Sequence, residues 1–283
     1  MMNGKNQILI GTSGYDYPEW KGVFYPEDVA RKDFLSYYAS QFNVLELNNT
    51  FYNMPTAQRM ISFYERSGGE LNFNVKANRL ITHQAGPEWK TDSKAFMDAL
   101  APVLEKQRLA AVLFQFPQSF HYTDSNRIFL SNVLDQFKSF PCVVEFRHVE
   151  WLKESVFAGL EKRNVSLAFC DMPGLKNLPA MFSNQNDESQ NPQVQNKIPL
   201  TGPIAYFRLH GRNAGAWYAN DSSPNGSSRY NYDYSDSELK DFLPVIKRTW
   251  ENNKNPMLLF NNHPGGNGAR NAQRLKEMLG GGM

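Results

Sequence analysis

The sequence predicts an α/β protein in which a single (β/α)8 TIM-barrel-like domain with parallel strands spans residues 1–283. Short apolar runs rich in β-branched and aromatic residues recur eight times, and stretches of helical periodicity lie between many of them. No linker interrupts this alternation, which is typical of a parallel sheet closed into a barrel. The alternative is an open doubly wound sheet, which usually carries a G-x-G-x-x-G turn that "GTSGYDYPEW" does not supply.

Each apolar run has the length of one buried strand and is bounded by polar or turn-forming residues. The predicted strands are QILIG (7–11), NVLELN (43–48), NFNVKA (72–77), AAVLFQF (110–116), CVVEFRH (142–148), VSLAFCD (165–171), IAYFRLHG (204–211) and MLLFNN (257–262).

Helical periodicity predicts the elements between the strands. In RKDFLSYYASQF (31–42), Phe34, Leu35, Tyr38 and Phe42 fall on one stripe, as the buried face of a helix requires. Four further stretches share this pattern: SKAFMDALAPVLEKQ (93–107), NRIFLSNVLDQFK (126–138), SELKDFLPVIKRTWENN (237–253) and NAQRLKEML (271–279).

Two stretches are too long for ordinary connections within a compact domain. Residues 172–203 are rich in amide side chains and predict a long polar insertion loop. Residues 212–237 contain Trp217 and several tyrosines, and they predict an aromatic-rich lid loop.

The composition narrows the class of protein. The net charge is +2, which does not favour the broad basic surface of a nucleic-acid-binding protein. Cys142 and Cys170 lie in apolar runs and predict reduced, buried thiols, so we expect a cytoplasmic protein. The apolar run at Ile8–Ile10 is too short for a signal peptide, and no run reaches the roughly 20 apolar residues that cross a membrane.

Polar and ionisable side chains gather where the predicted strands end. Side chains two residues apart on a strand face the same side, so Glu145 and Arg147 are expected to point together into the barrel. Barrel enzymes place their sites at the carboxyl ends of the strands. The candidate site residues found in this way are Glu46, Asn48, Lys76, Gln115, Glu145, Arg147, Asp171, Arg208, His210, Asn261, Asn262 and His263.

The residue types at these positions favour a small anionic or phosphate-bearing ligand. Lys76, Arg147 and Arg208 would bind the anion, since arginine suits bidentate contacts with oxyanions. The turn "HPGGNG", with Gly265 and Gly266, would add free backbone N–H groups at a helix N-terminus. The candidate proton carriers are Glu145, Glu46 and His210.

Several alternatives stay open at this point. The charges could form a purely structural network of salt bridges, Glu46 and Glu145 could act as the carboxylates of a glycosidase, or the chain could bind nucleic acid. No cofactor is predicted. A divalent metal is less favoured, because Lys76, Arg147 and Arg208 would repel it.

The chain resembles a known family through long motifs in a fixed order. They are "GTSGYDYPEWKGVFYP", "FNVLELNNTFYNMP", "FNVKANRLITH", "LFQFPQSF", "VVEFRHVEW", "YFRLHGR", "YSDSEL" and "FNNHPGG". They are similar to the domain of unknown function 72 family, the YecE-like proteins. The resemblance implies a (β/α)8 barrel and no particular reaction. That barrel is similar in outline to endonuclease IV and xylose isomerase, which by analogy suggests a phosphate-bearing or nucleic-acid ligand.

Overall fold

The computed structural model describes residues 7–179, 199–218, 228–252 and 254–280. Within them, parallel strands close a barrel in chain order, and β1 pairs with both β2 and β8. The predicted fold class is therefore confirmed. The strands are β1 (Leu9–Ser13), β2 (Val44–Leu47), β3 (Asn72–Lys76), β4 (Leu109–Gln115), β5 (Cys142–Glu145), β6 (Ser166–Asp171), β7 (Ile204–Leu209) and β8 (Asn255–Phe260).

The α-helices of the described residues surround the barrel or cap its strands. They are α1 (Phe34–Gln41), α2 (Asn49–Tyr52), α3 (Ala57–Arg66), α4 (Arg79–Thr82), α5 (Trp89–Glu105), α6 (Asp124–Gln136), α7 (Glu154–Lys162), α8 (Asp236–Glu251) and α9 (Asn267–Gly280). The sequence pattern did not predict α3 and α7. Only Met60 and Phe63 are buried in α3, and only Leu160 in α7, which is too few positions for a clear helical period.

The core has two parts, divided by the barrel wall. Aromatic and aliphatic side chains fill the layer between strands and helices, where Tyr25 stacks on Phe34 at 3.9 Å between ring centres. A smaller apolar cluster, which includes Val44, Val143 and Met257, fills the lower lumen. The lumen positions nearer the carboxyl ends of the strands are polar, so the lumen is apolar at one end and charged at the other.

The two predicted long loops lie partly outside the described residues. Residues 180–198 of the insertion loop and 219–227 of the lid loop are not described. In the part of the chain that is described, no helix is long and apolar enough to span a membrane.

Gly11 brings β1 against β2 more closely than any side chain would permit. A Cβ atom at this position would lie 1.9 Å from the Val44 carbonyl oxygen and 2.7 Å from the Tyr38 hydroxyl. That hydroxyl accepts a hydrogen bond from Thr12 N at 2.8 Å and donates to Val44 O at 2.9 Å, so it joins the two strands.

We therefore expect Gly11→Ala to lower the free energy of unfolding by about 2 kcal/mol or more, because the strands must move apart. Urea denaturation measures this change. The control is Gly159→Ala in α7, where nothing lies within 4 Å of the new Cβ. That substitution should stabilise the helix by about 0.5–1 kcal/mol. Equal effects of the two substitutions would contradict the close approach at Gly11.

Candidate functional site at the carboxyl end of the barrel

One arginine crosses the upper lumen and binds two carboxylates. Arg208 on β7 donates to Glu46 on β2 from Nε at 3.1 Å and from Nη2 at 2.6 Å. Its Nη1 donates to Glu145 on β5 at 2.7 Å. All three side chains are buried. Burial alone would lower the pKa of Arg208, but the two carboxylates raise it well above its usual value, so this guanidinium stays charged.

The remaining acceptor capacity of Glu46 is used by neutral side chains. Ser13 Oγ, Asn74 Nδ2 and Tyr206 OH donate to its carboxylate at 2.7, 2.9 and 2.7 Å. Burial and the nearby Glu46 charge raise the pKa of Tyr206 well above its ordinary value, which keeps it a hydrogen-bond donor. Glu46 is thus enclosed by donors from several strands, and its carboxylate holds Arg208 in place.

Glu145 is the second carboxylate of the lumen and is shared by two arginines. Arg147, which follows β5, donates to Glu145 Oε1 from Nε. Burial alone would raise the pKa of Glu145, but Arg147 and Arg208 outweigh it and hold that pKa well below the usual range. The carboxylate therefore stays ionised at neutral pH.

His210 lies next to this pair as a neutral base. Burial, reinforced by the charge of Arg147, lowers the pKa of His210 to about 3. Arg147 Nη2 lies 3.2 Å from His210 Nε2, and because a guanidinium can only donate, Nε2 is the acceptor of a neutral ring. On the other side of the ring, Asn261 Nδ2 lies 3.1 Å from His210 Nδ1.

Lys76 differs from the other charges of the site because it forms no ion pair within the described residues. Its ammonium lies 4.3 Å from the centre of the Phe51 ring, and in the described part of the chain no carboxylate lies within ion-pair distance of it. Burial, together with the charge of Arg208, lowers the pKa of Lys76 to about 7. Burial and Lys76 in turn lower the pKa of the neighbouring His83 to about 4. We call the region around Lys76, Arg147 and His210 the lumen cleft.

Aromatic side chains of the predicted lid loop lie against the lumen cleft. The ring centres of Trp217 and Tyr230 are 6.3 and 5.9 Å from that of His210. Asn262 donates from Nδ2 to His210 O at 2.9 Å and to Tyr230 O at 3.3 Å, so it ties the loop to the end of β7. Trp217 is almost fully buried, which is consistent with a covering role for these residues.

The remaining predicted residues lie around the edge of the cleft. Gln115 Nε2 is 3.5 Å from His83 Nε2 and donates to Phe116 O at 2.8 Å. His263 is partly buried and stacks on Tyr17, with ring centres 4.9 Å apart. Asn48 follows β2, and its buried Oδ1 has no hydrogen-bond partner among the described residues.

Asp171 belongs to a separate ion pair rather than to the lumen cleft. Its carboxylate accepts from Arg212 Nε at 3.0 and 3.1 Å and from Tyr234 OH at 2.6 Å. Cys170, one residue earlier on β6, lies instead beside Glu145 and His210. The sequence reasoning missed Cys170 because it took the last polar residue of the run. Alternation along β6 was the signal that would have identified it, since Ala168 and Cys170 share a face.

The glycine-rich turn has a steric reason for its glycines. Gly266 has a φ of 70°, and a Cβ there would lie 2.8 Å from Val23 Cγ1. Gly266 N and Gly268 N donate within the turn, to His263 O at 3.2 Å and Asn262 O at 2.7 Å. These two N–H groups are therefore occupied. The assignment of Gly265 and Gly266 to phosphate binding stays a prediction.

Among the described residues, two groups of side chains each bring three possible metal ligands within 4.8 Å of one another. They are Glu145, Cys170 and His210 in the lumen, and His121, His148 and Glu150 near the surface. In the lumen group the Glu145 carboxylate already binds Arg147 and Arg208. Their charges oppose a cation at that position.

The fold and the polar end of the lumen define a (β/α)8 barrel with a buried ionic network where barrel enzymes hold their sites. A family model described as "Protein of unknown function DUF72" matches residues 9–282. The chain belongs to this family, which confirms the resemblance seen in the sequence motifs.

Individual relatives agree with this assignment. The UPF0759 protein YunF of Bacillus subtilis (strain 168) is 30% identical over 283 residues, which cover 96% of this chain and 94% of that protein. The crystal structure of a DUF72 family protein from Thermotoga maritima is 30% identical and has a TM-score of 0.82, over 97% of this chain and 99% of that one. An Enterococcus faecalis DUF72 structure is 25% identical, with a TM-score of 0.80 over 97% and 96% of the two chains.

A more distant likeness concerns the fold alone. A β-glucuronidase of Bacteroides uniformis is 12% identical and has a TM-score of 0.52, over 92% of this chain and 31% of that one. The shared feature is the barrel, and the likeness carries no information about the residues of the lumen cleft.

The lowered pKa of Lys76 predicts a pH dependence of stability. Between about pH 7 and 10.5 the unfolded chain keeps the Lys76 proton while the folded chain has released it. The unfolded state then binds more protons, so stability should rise with pH in this window, by at most about 1.4 kcal/mol per unit.

Urea denaturation of the wild type and of Lys76→Met at several pH values between 7 and 9.5 isolates this effect. We expect the free energy of unfolding of the wild type, minus that of the variant, to increase with pH. A difference that stays constant would mean that Lys76 has its ordinary pKa in the folded chain.

Proposed function

We propose that the lumen cleft binds a small anionic, phosphate-bearing ligand and that the protein acts on it by proton transfer. The observation that carries this proposal is the excess of positive charge at the carboxyl end of the lumen. The basic groups there are Lys76, Arg147 and Arg208, and the carboxylates are Glu46 and Glu145. Both carboxylates are committed to the arginines, so protonated Lys76 has no counter-charge among the described residues.

An anion beside Lys76 would supply the missing charge. Arg147 keeps part of its side chain accessible, with a relative exposure of 14%, whereas Arg208 has 2%. The ligand would therefore contact Lys76 and Arg147. Arg208 would not contact it directly but would hold Glu145 in position. A fixed guanidinium next to a titrating amine is suited to a phosphate, since arginine provides directional hydrogen bonds and lysine a point charge.

The walls of the lumen cleft suit the rest of such a ligand. Phe51 lies under the Lys76 ammonium, and Trp217 and Tyr230 flank His210, so a ligand would meet aromatic faces on two sides. Aromatic walls with a few fixed polar groups are typical of small-molecule sites.

The pKa values of Lys76, Glu145 and His210 indicate which of these groups would transfer a proton in the proposed reaction. General acid–base catalysis is most efficient when the pKa of the group lies near the working pH. Lys76, with a pKa of about 7, fits this condition, whereas Glu145 is held ionised and His210 neutral. We assign proton transfer to Lys76, and to Glu145 and Glu46 the positioning of the arginines.

The glycosidase alternative is less well supported. Such enzymes need one carboxylic acid with a raised pKa to protonate the leaving group. Glu145 has a lowered pKa, and Glu46 is surrounded by donors from Ser13, Asn74 and Tyr206 as well as Arg208. Neither carboxylate is arranged as a proton donor to a sugar.

We expect sulfate, an oxyanion that does not titrate near neutrality, to bind the wild type most tightly below pH 7. Above the Lys76 pKa of about 7, the affinity should fall about tenfold per pH unit, because the ammonium is lost. Isothermal titration calorimetry between pH 6 and 9 measures this profile.

Two substitutions at one position provide the controls. Lys76→Arg keeps the charge but does not titrate, so its sulfate affinity should be independent of pH over this range. Lys76→Met should bind weakly at every pH. Sulfate affinity that is unchanged in Lys76→Met, or that is flat with pH in the wild type, would contradict the proposal.

A further inference from the structure

A second cavity lies beside the barrel mouth, between the loop after β1, the end of β2 and helix α3. It has a volume of about 610 Å³, which is in the range of small-molecule sites, roughly 300–1,000 Å³. We call it the rim cavity. Lys76, Arg147 and His210 do not line it, and Glu46 is the one residue of the ionic network that does.

Helix α3 gives this cavity a basic wall. Arg59, Ser62, Phe63 and Arg66 line it, and their spacing of three and four residues places them on one face of the helix. Among the described residues, neither Arg59 nor Arg66 lies within ion-pair distance of a carboxylate; Arg66 Nη2 donates to Lys32 O at 3.0 Å. The two arginines are therefore available to a ligand.

The acidic groups around the rim cavity are already neutralised. Asp16 binds Arg31 through two hydrogen bonds of 2.7 and 3.1 Å, and Glu46 binds Arg208. The lining therefore has a surplus of two positive charges from Arg59 and Arg66. Both side chains are exposed but line the same cavity, where an anion could be held from more than one side.

Neutral polar groups complete the lining. Asn48 lines the cavity as well, although its Oδ1 is buried away from solvent and has no partner among the described residues. Tyr15 also lines the cavity, and burial raises the pKa of its phenol although Arg66 opposes the change. The phenol therefore stays protonated and can donate to an anion.

We propose that the rim cavity is a second anion site, which binds a small molecule with two phosphate groups. Arg59 and Arg66 are seven residues apart, so their Cα atoms are separated by about 10 Å along α3. Their long side chains can converge on one diphosphate or bind two separate phosphates. This proposal rests on residues outside the lumen cleft and does not depend on the function proposed for it.

Inorganic pyrophosphate is the probe, and isothermal titration calorimetry in Lys76→Met protein keeps the lumen cleft from contributing. We expect one pyrophosphate to bind, and Arg59→Gln/Arg66→Gln in the same background to weaken binding at least tenfold. Both arginines are exposed and glutamine favours helix, so the variant should keep its thermal melting temperature.

The matched control removes two exposed arginines from the other side of the barrel, Arg127 and Arg163, which pair with Asp124 and Asp135. Arg127→Gln/Arg163→Gln has the same net charge as the test variant and should bind pyrophosphate as its parent does. An equal loss of pyrophosphate affinity in both double variants would mean that binding depends only on the overall charge of the protein. That result would overturn the proposal. Absence of pyrophosphate binding in the parent would overturn it as well.

Discussion

The contact on which the site depends is the bridge from Arg208 to Glu46 and Glu145. Burying such charges is expensive, and apolar residues of similar volume often stabilise a protein as well or better. The cost is offset here only because every charge of the bridge is paired and Glu46 also accepts from Ser13 and Tyr206. Removing one partner would leave the others buried without compensation, which typically costs about 3–5 kcal/mol. The bridge therefore fixes the positions of the groups around it.

The bridge also explains why Lys76 has no ion-pair partner among the described residues. Glu145 is the last residue of β5, two residues before Arg147, and it binds that guanidinium together with Arg208. On the other side of the lumen, the carboxylate oxygens of Glu46 already accept hydrogen bonds from Asn74 and Arg208. A purely structural network would account for the two arginines and the two carboxylates, but not for a half-buried amine beside them that forms no ion pair among the described residues. In the proposed function, an anionic ligand supplies that missing charge.

The sequence was sufficient for the barrel and for much of the lumen. Short apolar runs located the strands to within a few residues, and the two-residue spacing of polar side chains at the carboxyl ends of those runs placed residues such as Arg208 inside. It failed where one residue decides the face, as at Asp171, whose neighbour Cys170 occupies the lumen. It also missed α3, whose exposed face carries Arg59 and Arg66, because few of its residues are buried. Which charged side chains form ion pairs with one another depends on distances across the barrel. Alternation along a single strand does not specify those distances.

The most direct test of this account is the titration of Lys76 itself, followed by the ¹³Cε chemical shift of labelled lysine with Lys76→Arg used to assign the signal. We expect a pKa of about 7 in the free protein, because burial and Arg208 disfavour the ammonium. We expect a higher pKa when sulfate is present, because the anion pairs with the protonated amine. A pKa of Lys76 near 10.5 in the free protein, or one that sulfate leaves unchanged, would contradict the claim that protonated Lys76 in the lumen cleft pairs with an anionic ligand.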